Sequence, residues 1–490
     1  MSVHHCHRRG AFLAAGLPAA LPLATLLTLL ASGCVRVPPR AEVPPPRSEA
    51  PLVAAQADAA WPEAQWWHRY GDPQLDAWVE RALREAPTLT AARARVVAAQ
   101  AAVDALRAGR QLQVEAQAQQ QRQRLSDNGL LPTQFLGFNW YSTSDLGLDA
   151  RYDLDLGGGA RAEQRAAQAR TAVARAEQSA AELGLSAAIV GHYFGWQAEA
   201  AGLRLASSRL EAIDSELQLT HQRQGAELAR ADEALLLEQV RQSTQDQLGG
   251  YETRLQMRRV ALGALLGEAP DTLSAPPARE LPGATADLPA SARLDLVARR
   301  PDLIAARGRI EAAGADVERA RAGFVPDLEL RGLLGLSSRD IGKLLEAGSA
   351  VPLLSAAIHL PLFDAGRLRA QNAGSEAALR GAVADYDDRL LHAAEDVNGA
   401  LAERFAAATK MGLRQRQVDI AAQLRALATE RTRAGLSDAR SQWSATRQWL
   451  EARELQLQTQ YDWLSADLKL IRALGGGYGE TDGTGEQRQH

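Results

Sequence analysis

Few residues of this chain could do chemistry, and most of them fail on spacing. His4, His5 and His7 flank Cys6, a set that could hold a metal, but they stand in a polar, basic leader that reads as cleaved. The remaining histidines show no ligand spacing. Gly157-Gly158-Gly159 follows an alternating segment, yet it lacks the Lys-Ser/Thr of a P-loop and the spacing of a dinucleotide fingerprint, so it reads as a tight turn. No nucleophile stands in a recognisable catalytic pattern. With Cys6 in the leader, Cys34 is alone and no intrachain disulfide can form. What remains is Cys34 itself and two acids placed just after glycine-bearing turns: Asp438, three residues beyond Gly435, and Asp232, after Gly225. Taken alone, each is an acid near a helix N-terminus, where the helix dipole favours negative charge.

The leader gives Cys34 a role. Arg8 and Arg9 precede an apolar stretch over 11–31, which ends in Leu30-Ala31-Ser32-Gly33-Cys34. This resembles a bacterial lipoprotein signal, although Ala31 stands where Leu is usual. The resemblance implies cleavage after residue 33, S-diacylglycerol on the Cys34 thiol and an N-palmitoyl chain on its new amino group. Acyl chains at about 0.8 kcal/mol per buried CH₂ anchor firmly when more than one is present. Val35, rather than Asp, after the cysteine implies sorting to the outer membrane. Residues 34–60, rich in Pro, Ala and Glu, bury too little to fold and read as a flexible lipidated tether. Order is expected from Trp61, where Trp61, Trp66, Trp67 and Tyr70 pack the incoming chain against the body.

Those elements belong to a chain that says the same thing twice. PTLTAARARVVAAQAAVDALRAG (87–109) recurs without a gap as PDLIAARGRIEAAGADVERARAG (301–323). Pro87/Pro301, Arg93/Arg307, Val103/Val317 and Gly109/Gly323 carry the match, and a repeat so long implies a duplicated half-protein. Aromatics are only 5% and Ala, Gln, Leu, Arg and Glu dominate, which favours long packed helices. A net charge of -4 supplies no basic field for nucleic acid.

Proline placement divides the body. None occurs between Pro132 and Pro270 or after Pro361, so long helices can run there. Ile189, Trp196, Leu203, Leu210 and Leu217 step by seven, with Ala206 and Ile213 between them. Leu379, Val383, Tyr386, Leu390, Ala393, Val397 and Ala400 alternate steps of four and three, and Trp443, Leu450, Leu457, Leu464 and Ile471 again step by seven. A helix from about Ala160 to Gln224 extends on the order of 100 Å, more than a globular core needs. Gly225 and Gly435 suit left-handed helix ends. An alanine-rich seam buries little area per residue, so such helices need neighbours from other chains.

Before each long helix the period changes to two. Apolar residues alternate with Gln and Glu over 111–119, and with Gly, Asp and Arg over 146–156. The second half repeats this around Leu328 and Leu330, then Ile358, Leu360 and Leu362. These are four strands of near membrane-crossing length. Four strands cannot close a barrel in lipid, because open edges would strand backbone groups; three chains contributing four each can.

Taken together, Gly71-Asp72-Pro73-Gln74-Leu75-Asp76, Arg299-Arg300-Pro301-Asp302-Leu303, Ala320-Arg321-Ala322-Gly323-Phe324-Val325-Pro326, Pro361-Leu362-Phe363-Asp364-Ala365-Gly366-Arg367-Leu368 and Ile471-Arg472-Ala473-Leu474-Gly475-Gly476-Gly477-Tyr478 carry a family resemblance. The chain resembles the TolC-like outer membrane factors, in particular their lipoprotein multidrug and NodT-type branch. The resemblance implies a mostly α fold with a β-barrel portion: four transmembrane strands per chain forming a 12-stranded barrel in a homotrimer, continued by a long coiled-coil tunnel. It implies no enzyme activity and no cofactor beyond the lipid on Cys34. Expected partners are a periplasmic adaptor (membrane fusion protein), an inner-membrane efflux pump and outer membrane lipids, and not nucleic acid. The expected function is the outer membrane channel of a tripartite efflux system exporting drugs or toxic compounds. The expected organisation is a signal peptide (1–33), tether (34–60), first efflux repeat (61–268), linker (269–288), second repeat (289–477) and disordered tail (478–490).

In such channels acids after the second turn ring a closed aperture. The resemblance makes Asp438 an aperture-gate candidate and Asp232 a weaker one; a second aspartate common in the family is Ser444 here. Three copies would bring like charges together, raising some of their pKa values and favouring cations. The alternative is a lipid-anchored periplasmic coiled-coil structural protein with no lumen and no membrane strands.

Overall fold

The structure, a computed structural model, describes residues 38–40, 42–47, 63–126, 137–283 and 299–477. The leader, Cys34, Trp61, part of the linker, Tyr478 and the tail lie outside the described residues. Seven α-helices and four strands are described: α1 (Pro73–Glu85), α2 (Pro87–Gly109), β1 (Gln113–Arg124), β2 (Trp140–Leu154), α3 (Gly159–Gly225), α4 (Ala231–Leu266), α5 (Pro301–Ala322), β3 (Asp327–Ser338), β4 (Ala350–His359), α6 (Arg367–Arg433) and α7 (Ala439–Ala473). The repeated sequence thus becomes α2 and α5. Each half then runs through two strands into one long and one shorter helix.

The described residues divide into two units, each built from both halves: a sheet unit from those within 1–42, 106–164 and 315–377, and a helical unit from those within 43–105, 165–314 and 378–490. In the sheet unit the four strands pair antiparallel in the order β1-β2-β3-β4. The registers Glu115↔Asp149, Asp149↔Leu333 and Leu333↔Leu353 place these residues on one face, since directly opposed residues share a face. That face carries Gln113, Gln117, Gln119, Gln121 and Gln123 of β1, with Asp145, Arg151, Asp153, Glu329 and Arg331. The opposite face carries Val114, Leu146, Leu148, Leu330, Leu334, Leu354 and Ile358, and Leu334, Leu354 and Ile358 are strongly exposed. Two edges, those of β1 and β4, have no partner among the described strands.

The strands differ from expectation at their ends. β1 runs on to Arg124 and β2 begins at Trp140, because cross-strand pairing continues through polar residues whose alternation is faint. β4 lies earlier than the pattern around Ile358, Leu360 and Leu362 suggests: it starts at Ala350, ends at His359, and leaves Leu360, Pro361 and Leu362 beyond it. It even contains Pro352, which an edge strand tolerates where no ladder donor is needed. Gly158, at φ +76°, makes the expected tight turn. Asp155 caps it by accepting from the backbone N–H groups of Ala160 (3.1 Å) and Arg161 (2.9 Å). A side chain at Gly157 or Gly159 would crowd Ala322.

Two stretches of the expected tether, 38–40 and 42–47, are described. In the sheet unit the Pro38 carbonyl accepts from Arg321 at 2.9 Å, and Arg40 pairs with Glu318 at 3.5 Å. In the helical unit the Arg47 backbone N–H donates to Asp387 at 2.8 Å. Pro38, Pro39 and Pro44 to Pro46 pre-set an extended chain, so little entropy is lost in fixing it by a few hydrogen bonds.

In the helical unit, a core of Trp66, Trp67, Leu75, Tyr193, Phe194, Trp463, Leu464 and Ile471 holds the helices to the incoming chain. Each such side chain contributes roughly 1.5–3 kcal/mol on full burial. Gly71 takes φ +59°, Asp72 caps α1 through the Gln74 (3.0 Å) and Leu75 (3.3 Å) amides, and Pro73 fills its first turn. The other Asp72 oxygen accepts the Tyr193 hydroxyl at 2.7 Å, which ties α1 to α3.

α3 and α6 each span 67 residues, about 100 Å of helix. On α6 the expected seam is buried from Val383 to Ala400. On α3 the distal half differs: Leu203, Leu210 and Leu217 are only half-buried, while Ala206, Arg209, Ile213, Glu216 and Thr220 are buried. Two ionic residues therefore occupy positions where the pattern led one to expect surface. Gly195 and Gly202 admit Arg258 and Tyr251 of α4, also seven residues apart, into space a Cβ would fill.

Candidate functional site

Two turns join the helix pairs, and both close by the same hydrogen-bond pattern. After α6, Leu436 N–H donates to the Arg431 carbonyl (2.8 Å) and Gly435 takes φ +70°. After α3, Leu228 N–H donates to the Arg223 carbonyl (2.8 Å), but the left-handed residue is Glu227 at φ +59°. Gly225 is instead the last helical residue. The expectation for Gly225 thus fails by two positions, and Glu227 carries strain that Gly435 avoids.

The sequence following the turns is inverted: Arg230-Ala231-Asp232 in the first half stands where the second has Asp438-Ala439-Arg440. Asp438 is the N-cap of α7, accepting from the Arg440 N–H at 3.0 Å. Arg230, at the matching position of α4, makes no side-chain cap. The same Asp438 carboxylate accepts from Arg440 Nε at 2.9 Å and from Arg223 Nη1, at the end of α3, at 2.6 Å. Arg440 in turn donates to Glu233 of α4 at 2.8 Å. A chain Arg223–Asp438–Arg440–Glu233 therefore joins the ends of α3, α4 and α7. Thr432 of α6 adds a contact to the Asp438 carbonyl at 3.4 Å. Asp232 lies apart, exposed and paired with Arg230 at 2.9 Å.

Electrostatics follow from the geometry. The Arg440 amide, then the Arg440 and Arg223 guanidiniums, hold the Asp438 carboxyl below the usual carboxylate range. Arg440 does the same to Glu233. The raised pKa expected of ringed acids is not what the contacts within one chain produce; here Asp438 is a paired, capping acid. Nothing in their local sequence marks Arg223, Arg440 and Glu233 as partners of Asp438. The inverted Arg-Ala-Asp and Asp-Ala-Arg triplets were the available signal.

No helix among the described residues is long and apolar enough to cross a membrane. The two-faced sheet, mostly apolar on one side and mostly polar on the other, is the surface that can, and with the long helices it defines a channel-forming fold of the outer membrane type. The family model of outer membrane efflux proteins matches residues 78–268 and 294–476, and the chain belongs to that family. It is 31% identical over 387 residues to the multidrug resistance outer membrane protein MdtP of Escherichia coli K12, covering 76% of this chain and 78% of that one. The solved structure of the outer-membrane channel OprN superposes with a TM-score of 0.79 at 26% identity, over 90% of this chain and 98% of that chain. VceC of Vibrio cholerae gives 0.74 at 29% identity, over 85% and 100%.

The protein is accordingly an outer membrane efflux channel extending into the periplasm, of a family that is not enzymatic. Channels of this family work as trimers in tripartite efflux systems. The periplasmic rod without membrane strands, the alternative left by the sequence, is set aside.

Proposed function

We propose that three copies of this chain pair the free edge of β4 with that of β1 to close a 12-stranded barrel, and that the Arg223–Asp438–Arg440–Glu233 chain keeps the periplasmic aperture shut. The observation that carries the barrel is the four-stranded sheet with two unpartnered edges, one apolar face and one charged face. An open edge in lipid leaves backbone groups unsatisfied at several kcal/mol each, so closure is required. The apolar face meets lipid, and the face with Asp145, Asp149, Arg151 and Arg331 lines the water-filled passage. There Asp149 accepts from Arg151 at 2.8 Å and from Arg331 at 2.7 Å, which lets two opposed guanidiniums share one carboxylate.

Asp438 is the aperture residue in this reading, and its role is that of a bridge rather than a free charge; Asp232 is a peripheral candidate. A periplasmic adaptor, itself joined to an inner-membrane pump, opens the aperture by displacing these contacts. Cys34 carries the S-diacylglycerol and N-palmitoyl chains that anchor the chain beside the barrel. The test is single-channel recording of full-length trimers in planar bilayers. Asp438→Ala is expected to raise the closed-state conductance severalfold, and an unchanged conductance removes Asp438 from the gate. For Cys34, globomycin-sensitive processing and radiolabelled palmitate incorporation, both lost in Cys34→Ser, are the expected outcomes.

A further inference from the structure

The tip contacts are the last of a series. Arg209 of α3 donates to Glu454 of α7 at 2.8 Å, with both side chains only 9% exposed. Seven residues further along α3 and seven earlier on α7, Arg447 donates to Glu216 at 3.4 Å. One more heptad brings Arg223 and Arg440 level, two like charges that Asp438 bridges from the turn. Antiparallel helices thus face each other through three rungs, Arg–Glu, Glu–Arg and Arg–Asp–Arg, over about 21 Å of helix.

We propose that this alternating ladder fixes the register of α7 against α3 and that its two inner rungs, one buried and one partly buried, hold the aperture closed together with the tip contacts. A slip of α7 by one heptad sets Arg209 against Arg447 in one direction. In the other it sets Glu216 against Glu454 and Arg223 against Arg447. Like charges so placed are repelled in a poorly solvated seam, so only one alignment satisfies every rung.

The rungs are poor devices for stability, which points to their role in alignment. Glu454 Oε1 and Arg209 Nε are buried without a hydrogen-bond partner, although Thr244 and Gln247 of α4 accept from Arg209 Nη2. An apolar pair of the same volume packs such a site at equal or lower cost. What an apolar pair lacks is sign. A movement that carries α7 away from α3 along this stretch must also break a buried and a partly buried ion pair, so Arg209, Glu216, Arg447 and Glu454 act as positioning residues for the gate.

The inference rests on the reading that the α3–α7 ends form the aperture, and full-length trimers in planar bilayers test the two separately. The isosteric variant Glu216→Gln/Glu454→Gln is expected to raise closed-state conductance by roughly tenfold or more while trimers still assemble. The charge exchange Arg209→Glu/Glu454→Arg is expected to return it to the parental value, whereas Glu454→Arg alone raises it or prevents assembly. Parental conductance in the assembled double glutamine variant overturns the ladder, as does a charge-exchanged trimer that conducts like the disrupted ones. Should Asp438→Ala prove silent while the glutamine variant leaks, the tip reading fails and the ladder stands; the reverse result keeps the tip and removes the ladder.

Discussion

Arg223 and Asp438 meet at 2.6 Å although one closes the first long helix and the other opens the last helix of the chain. This contact joins the two halves of the duplication at their turns. It makes one guanidinium the partner of an acid that also caps α7. Removing either side has different consequences. Asp438→Ala loses both a cap, about 1 kcal/mol, and the bridge between Arg223 and Arg440. Arg223→Ala loses the bridge but keeps the cap. Both are expected to raise closed-state conductance, and only Asp438→Ala is expected to shorten α7 at its first turn, read as faster amide exchange of Arg440 and Ser441.

Asp232 offers the matching control. Its pair with Arg230 is exposed, and such pairs contribute about 0–1 kcal/mol. Asp232→Ala is expected to leave conductance within twofold of the parent; a larger rise would place a second acid at the aperture.

The acids of the tip and of the ladder respond to pH in opposite senses. Burial pushes the Glu216 and Glu454 carboxyls up, against the pull of Arg447 and Arg440 on the first and of Arg209 on the second, while Glu451 adds to the rise of Glu454 and Tyr251 of α4 lies beside it. A raised folded pKa favours the protonated form, so this contribution to stability is full below the ordinary carboxylate range and lost as pH rises through the raised value. Asp438 and Glu233 are lowered: their contribution is present above the ordinary range and lost as pH falls through the depressed one. On acidification the rungs should therefore lose charge first, with thermal stability maintained, and the tip only at lower pH. Conductance measured against pH should rise in two steps, and Glu216→Gln/Glu454→Gln should abolish the upper step.

Gly202 exists to admit the Tyr251 ring. Gly202→Ala should destabilise the assembled protein by about 1–3 kcal/mol through overpacking, despite the helix propensity of alanine. Tyr251→Ala in the same chain should recover part of the loss, measured as the melting temperature of the trimer.

Asp72 carries both a cap and the buried Tyr193 hydroxyl. Asp72→Ala should cost about 2 kcal/mol or more, against roughly 1 kcal/mol for Tyr193→Phe, because only the first leaves a buried donor without its acceptor. Denaturant or thermal melts of the two variants give the comparison.

Much of this architecture is legible in the chain. The duplication, the long helices, the buried seam from Val383 to Ala400 and the turn at Gly158 all follow from patterns a few residues wide. Strand ends were less legible: β4 begins at Ala350 because β3 supplies partners there, not because its own residues alternate. The left-handed residue after α3 is Glu227 rather than Gly225, since the hydrogen-bonded turn fixes the position and leaves the residue type to bear the strain.

The sequence by itself determined which elements form and which faces are apolar, since period, capping and backbone preference act locally. It could not assign Arg209 and Glu216, which look like surface charges on a heptad whose leucines promise the seam. Their partners, Glu454 and Arg447, lie more than two hundred residues away, and their burial depends on how α7 aligns with α3. Only the tertiary structure decides that alignment, because an ion pair out of water is tolerable where its counter-charge arrives at the same level and costly one heptad away. Asp438 shows the same division: its position at a helix start was written in the chain, and its bond to Arg223 was not.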